Sequence, residues 1–229
     1  MTDVRRRRAP RGSGELLRGE IIAAARECLV EQGSADAVSI RAVAAHVGVT
    51  PPSIYLHFAD KEALLDAVAA DMFAAIGEEM RKAAEGVEHP LERMRRQGHA
   101  CVRFARENPE VYRLATMHVR SEPGNADMVI GNSAFTLISA TIVECMEAGV
   151  FAKGDPLPIA LEMWAAAHGI ASLLIAKPYV PWGDPEAVTE RVLRSAALGR
   201  AVADLIGDPD CAEVVAWLDA QPRNAARRP

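Results

Sequence analysis

From position 39 to 58 the chain reads Ser-Ile-Arg-Ala-Val-Ala-Ala-His-Val-Gly-Val-Thr-Pro-Pro-Ser-Ile-Tyr-Leu-His-Phe, and here the groups able to act on a partner molecule are concentrated. Ile40, Val43, Ala44 and Val47 recur at the spacing of one helix face, which buries them and turns Arg41 and Ala45 outward. Gly48 permits a reversal. Thr50 can cap a second helix and Pro51 can take its first position, while Ile54 and Phe58, four apart, point back to the core. Ser53, Tyr55 and His57 are left on other faces. A helix of barely two turns cannot stabilise itself, so its neighbours must hold it rigid, the arrangement a helix needs to enter a DNA major groove. The chemistry expected is recognition rather than catalysis. The chain has no glycine-rich phosphate loop, no Gly-x-Ser-x-Gly, no His-Glu-x-x-His and no paired-cysteine site. No catalytic residue, metal ligand or cofactor is therefore expected.

The elements that must position this segment are helices. With 229 residues, the chain suits one small and one medium domain. Half its residues are apolar and a quarter charged, the composition of a folded protein. Apolar residues recur at helical spacing, as in Leu17, Ile21, Ala25 and Leu29, then Leu64, Val68, Met72 and Ile76, and no alternating strand pattern competes. The expected fold is all-α with about ten helices, over 15–32, 40–47, 51–57, 60–84, 90–107, 109–120, 126–148, 156–176, 185–206 and 209–220. Gly-Asp-Pro occurs at 154–156, 183–185 and 207–209, and a helix is expected to start at each, with Asp as cap and Pro in the first turn. Asn108-Pro109 and His89-Pro90 are weaker starts, and Gly33, Gly48 and Gly149 stand where left-handed C-terminal residues are wanted.

Net charge is −5, unevenly spread: residues 1–61 carry 9 Lys and Arg against 7 Asp and Glu, the remainder 17 against 24. Phosphate affinity is thus expected at the front, where Arg5 to Arg8 lie in a flexible basic arm spanning 1–14. Cys28, Cys101, Cys145 and Cys211 are widely spaced and read as reduced core residues. With no signal-peptide pattern and no stretch apolar enough to span a bilayer, a cytoplasmic protein without membrane contact is expected.

The segment 39–58, continued by Ala59-Asp60-Lys61-Glu62-Ala63-Leu64-Leu65, closely resembles the signature of the TetR/AcrR family, in which a recognition helix ends in Tyr-x-His/Tyr-Phe and is followed by x-x-Lys-x-x-Leu. The motif covers about residues 15–70. The resemblance implies a three-helix helix-turn-helix domain over 15–60 and a larger ligand-binding and dimerising domain over 61–220, with 61–84 as connecting helix and 221–229 as tail. It implies that Ser39, Ile40 and Arg41 match a helix start contacting phosphate or a base, and that Thr50, Pro51, Pro52 and Ser53 match the groove-facing helix start. Tyr55 and His57 match phosphate-binding positions. Lys61 matches a cation at a helix N-terminus, where ammonium and dipole together favour an anion. Pro51 and Pro52 stand where relatives often carry a polar base-reading side chain, so ring contacts to thymine methyls could substitute.

Residues 90–176 mix Arg113, His118, Asn132, Glu144 and His168 with Phe104, Tyr112, Met117, Phe135, Met146, Met163 and Trp164, the lining an orientation-selective pocket needs. Phe104, Arg113, Met117, Trp164 and His168 are the expected effector contacts. Trp164-Ala165-Ala166-Ala167-His168-Gly169 resembles the Trp-x-x-x-His-Gly element of one subgroup of family C-terminal domains. Helices 156–176 and 185–206, with the stripe Val188, Val192, Ala196, Val202 and Ile206, are expected to pair with their copies in a homodimer, as the family implies. The expected function is a repressor on double-stranded, near-palindromic operator DNA, with half-sites about 34–36 Å apart or a multiple of that. A small, largely apolar molecule would release it. A ligand- or redox-modulated activator on the same fold is the alternative.

Overall fold

The computed structural model describes residues 13–117, 133–207 and 210–222. These residues form ten helices and no strand: α1 (Ser13–Gln32), α2 (Ile40–Val47), α3 (Pro51–Tyr55), α4 (Lys61–Ala84), α5 (Pro90–Glu107), α6 (Pro109–Met117), α7 (Ser133–Glu147), α8 (Pro156–Ala176), α9 (Pro185–Ile206) and α10 (Cys211–Ala220). The all-α expectation holds.

Short-range chemistry sets the ends. Asp155 and Asp184 cap α8 and α9 through their carboxylates, which accept backbone N–H groups that the first turn leaves unpaired. Gly48, at φ 77°, closes α2 in the left-handed region. The third Gly-Asp-Pro behaves differently. Gly207 closes α9, and the next helix starts at Cys211, where Asp210 and Glu213 form a reciprocal capping box stronger than a lone Asp-Pro start. Residues 13 and 14 are helical rather than part of a basic arm. Arg5 to Arg8, His118, Asn132 and most of the expected tail lie outside the described residues.

A single apolar cluster runs from Ile21, Val43, Ile54 and Phe58 through Leu64, Leu65 and Val68 to Tyr112, Ala171 and Leu193. The N-terminal helices are therefore packed onto the larger domain through α4 rather than tethered to it. A second cluster, containing Met94, Phe135, Ile142, Cys145 and Met163, joins α5, α7 and α8. Arg93 of α5 binds the Glu144 carboxylate of α7 as well as the carbonyls of Val87 and Glu88.

Two expectations need correction. α8 is, by length and composition, apolar enough to cross a membrane, contrary to the reading that no stretch is. It packs between α5, α7 and α9, and Ile159, Ala160, Met163, Ala167, Ile170, Ala171 and Leu174 are buried there. On that face its apolar side chains belong to the chain's own core. Part of the stripe expected to meet a partner also turns inward: Val188 is buried, and Val192 and Ala196 pack on the chain's own core, because α9 leans against α5 as well as α8, while Val202 and Ile206 are half-buried. The exposed apolar residues of this pair are instead Leu161, Leu173, Leu198 and Leu205.

Candidate nucleic-acid interface and effector cavity

α2 and α3 form the helix-turn-helix. Ser39 accepts the Ala42 N–H at 3.2 Å, starting α2 and leaving Arg41 exposed, while Ile40 packs inward. α3 is five residues long, shorter than the 51–57 expected, and Ile54 is its single buried residue. Thr50 stands at the N-cap with extended backbone, yet its side chain caps no amide. Pro52 has no N–H to offer, and the Ser53 N–H already donates to the Thr50 carbonyl at 2.9 Å. The Thr50 hydroxyl meets the Ser53 hydroxyl at 3.1 Å instead.

Past α3, the His57 and Phe58 N–H groups both donate to the Ile54 carbonyl, which carries the turn one step further. Phe58 is buried with the Arg18 guanidinium 5.1 Å from its ring centre. Tyr55 is left exposed, His57 half-buried beside the start of α1, and Pro52 exposed next to half-buried Pro51. Leu56 lies between Tyr55 and His57 and is 84% exposed, a residue the sequence reasoning passed over. Its signal was there: an apolar side chain out of register with the buried pair Ile54 and Phe58. Lys61 opens α4, and its ammonium donates to the Asp36 carbonyl at 2.9 Å, tying α4 to the loop between α1 and α2. Asp60 caps the same helix through Ala63 N–H, so a carboxylate already occupies that N-terminus.

In the larger domain a cavity of about 330 Å³ opens where the two apolar clusters fail to close on each other. Phe73, Ile76 and Met80 of α4 form one wall and Met94, Phe135 and Met163 another. Gly98 of α5 faces Leu193 of α9, whose Cδ1 would stand 2.8 Å from an added Cβ. Of the five expected effector contacts, Trp164 lines the cavity. His168 backs it, stacked on Trp164 and 2.9 Å through Nδ1 from the Tyr112 hydroxyl. Phe104 packs in the core. Arg113 and Met117 are displaced. α6 turns Tyr112 and Thr116 to the cavity, whereas Arg113 and Met117 face a groove beside Leu29 and residues 33–36 at the end of α1. Adjacent positions on a helix diverge by a large angle, so 112 and 116 share the cavity side while 113 and 117 share the groove side. Thr116 is the cavity-lining residue of α6 that the sequence reading leaves out, while Tyr112 stands among the pocket residues it names.

The buried groups here are neutral. Burial holds the Tyr112 phenol well above its usual range, pushes the Cys101 thiol up to about 11, and does the same to Cys145. Neither thiol offers a thiolate at neutral pH, which disfavours a redox switch through them. Burial lowers the pKa of His168. Glu92 is held down at about 2 by hydrogen bonds from Arg95 and Arg96.

These shifts set an acid response. The unfolded chain takes up protons before the folded one does, so stability present above the unfolded value falls as pH drops through it toward the folded value. For His168 the loss begins near 6.5. For Glu92 it begins near 4.5 and continues toward about 2. His168→Gln should flatten the upper limb of a urea-midpoint profile against pH, and Glu92→Gln the lower one. An unchanged upper limb in the His168 variant assigns the response to other groups.

Comparison with known proteins agrees with this arrangement. Residues 21–68 match the family model described as bacterial regulatory proteins, tetR family, and residues 94–196 match the one described as tetracyclin repressor-like, C-terminal domain. The chain belongs to the TetR family. A structure of a protein with unknown function from Rhodococcus sp. RHA1 is 30% identical, with 81% of this chain and 95% of that one aligned at a TM-score of 0.68. The TetR family regulator PfmR from Thermus thermophilus is 20% identical over 78% of this chain and 97% of its own, with a TM-score of 0.57. RolR, solved with resorcinol, is 18% identical over 86% and 97%, with a TM-score of 0.63. These last two likenesses speak for the fold alone. No protein of curated function shows significant similarity to the chain. As a TetR-family regulator, the protein is a DNA-binding transcriptional regulator, and family members typically act as dimers with small-molecule effectors.

Proposed function

We propose that this TetR-family regulator is a cytoplasmic repressor that binds a near-palindromic operator as a homodimer and leaves it when a small, largely apolar molecule enters the cavity. The observation that carries the reading is the double duty of α4. Its first turns, with Leu64, Leu65 and Val68, complete the core behind the helix-turn-helix, and its later turns, with Phe73, Ile76 and Met80, wall the cavity. α6 adds a second link, facing the cavity with Tyr112 and Thr116 and the end of α1 with Arg113 and Met117. An occupant that presses α4 and α6 apart changes the angle of the reading head, and it releases DNA only by favouring the nonbinding spacing. That RolR holds resorcinol supports a small-molecule role for a cavity in this fold.

In this reading Arg41, Tyr55, His57 and Lys61 meet phosphates or base edges with Ser39 and Ile40 at the helix start, and Thr50, Pro51, Pro52 and Ser53 approach the groove. Leu56 adds an apolar contact suited to a thymine methyl. Leu161, Leu173 and Leu205 supply the apolar surface for the partner's copies of α8 and α9. The domain limits near residues 60 and 220 belong to the same proposal.

The test is a titration against DNA from upstream of the protein's own gene at two salt concentrations, with wild type and a Tyr55→Phe, Lys61→Ala double variant. Wild type is expected to bind one discrete palindromic site, and the variant to bind more weakly, with a salt slope shallower by about one for each phosphate it no longer engages. Weak, sequence-independent binding by wild type refutes specific recognition there. A reporter on the bound promoter separates the two regulatory signs: expression rises on deletion of a repressor and falls on deletion of an activator.

A further inference from the structure

The polar groups that line the cavity are of two kinds. Around Trp164 and Tyr112 the few polar groups are spent: the Tyr112 hydroxyl is engaged with His168, and the Thr116 hydroxyl donates to the Tyr112 carbonyl at 2.7 Å. On the seam between α5 and α9, Arg95, Arg194 and Leu198 line the cavity and are exposed, and the Glu92 carboxylate lines it with them. Three guanidiniums, those of Arg95, Arg96 and Arg194, meet two carboxylates there.

Those carboxylates are already committed. Glu92 accepts from Arg95 and from Arg96. Glu190 accepts from Arg95 at 2.9 Å and lies 2.8 Å from His99 Nε2. Arg194 comes no nearer to Glu190 than 3.9 Å, beyond hydrogen-bond range. That contact is an ion pair without a hydrogen bond, so the Arg194 guanidinium keeps the planar fork of donors that can take an anion by two parallel hydrogen bonds.

We propose that the cavity takes an anionic amphiphile, a carboxylate on an unbranched or single-ring apolar body, with the anion at Arg194 and the body against apolar lining such as Phe73, Met163 and Trp164. The proposal rests on the reading of this cavity as the effector site and names the ligand class for it. The volume, at the small end of the range of about 300–1,000 Å³ usual for ligand sites, suits a body of medium length. A neutral amphiphile fills the same walls but gives Arg194 no hydrogen-bonded anion, and a cationic one is repelled by it.

Calorimetric titration of the full chain without DNA, using decanoate, decanol and decylamine, tests this in wild type, Arg194→Gln and Arg194→Lys. Decanoate is expected to bind most tightly. Arg194→Gln should weaken decanoate by about fivefold, the scale of one partly exposed ion pair, without moving decanol, and Arg194→Lys should retain part of the preference. Absence of decanoate binding, equal or tighter binding of decanol, or an Arg194→Gln variant that binds decanoate as wild type does overturns the proposal. The same compounds added to the operator complex keep the two readings apart. Arg194-dependent binding without DNA release leaves the anion site standing and defeats the effector reading, whereas release by decanol as efficiently as by decanoate does the reverse.

Discussion

Ile54→Ala is expected to lower the stability of the helix-turn-helix by about 2–5 kcal/mol, the usual range for emptying a large aliphatic site in a core. DNA binding should disappear with it. Ile54 is fully buried and is the only buried residue within α3, a helix of five residues that has no means of holding itself. Its carbonyl also receives the N–H groups of His57 and Phe58, so displacing this residue misplaces Tyr55, Leu56 and His57 together. The second apolar cluster, around Phe135, Ile142 and Cys145, contains no residue of α1 to α3. Hydrogen exchange should accordingly show protection removed over residues 40–58 and kept in α5 and α8. Operator affinity unchanged from wild type would contradict the role given to α3.

Gly77→Val is expected to cost about 3 kcal/mol, at the upper end of overpacking penalties, whereas Gly98→Ala should be neutral or stabilising. Both glycines are helical and both would bring a Cβ close to a neighbour. At Gly77 the Cβ would lie 2.7 Å from the Ser133 hydroxyl and 3.2 Å from the Ala134 backbone nitrogen. Ser133 cannot retreat freely, since its hydroxyl donates to the Phe73 carbonyl at 3.1 Å. The γ-methyls of valine therefore force α7 away from α4. At Gly98 the obstacle is Leu193 Cδ1, the far end of a flexible side chain that itself lines the cavity and has space to move into. There the helix preference of alanine over glycine, about 1 kcal/mol, decides the sign. Denaturant midpoints of the two variants check the contrast, and a Gly77→Val midpoint at or above the Gly98→Ala value would reverse this account of how α4 meets α7. Because α4 connects the reading head to the cavity, Gly77→Val should also shift operator affinity.

Much of the helix-turn-helix was legible in residue order because its determinants are local. The four-residue spacing of Ile54 and Phe58, the Ser39 cap and the left-handed Gly48 act within a turn or two of themselves, as do the caps at Asp155 and Asp184. Local patterns that compete were harder to rank. The capping box at Asp210 displaced the helix start from the third Gly-Asp-Pro, and adjacent prolines left the Thr50 side chain without an amide to cap.

The sequence by itself determined an all-helical chain, the place and register of its short reading helix, and the family to which that helix points, because periodicity and capping are encoded within a few residues of where they act. Tertiary structure alone decided which side of α6 meets the cavity, Tyr112 and Thr116 rather than Arg113 and Met117, and that Val188, Val192 and Ala196 of α9 turn inward. It also decided that Glu92 and Glu190 accept hydrogen bonds from neighbouring cations while Arg194 reaches Glu190 only as a 3.9 Å ion pair. Each of these depends on how helices far apart in the chain lean on one another, and a helix with apolar residues on more than one side carries no local instruction for which side to bury.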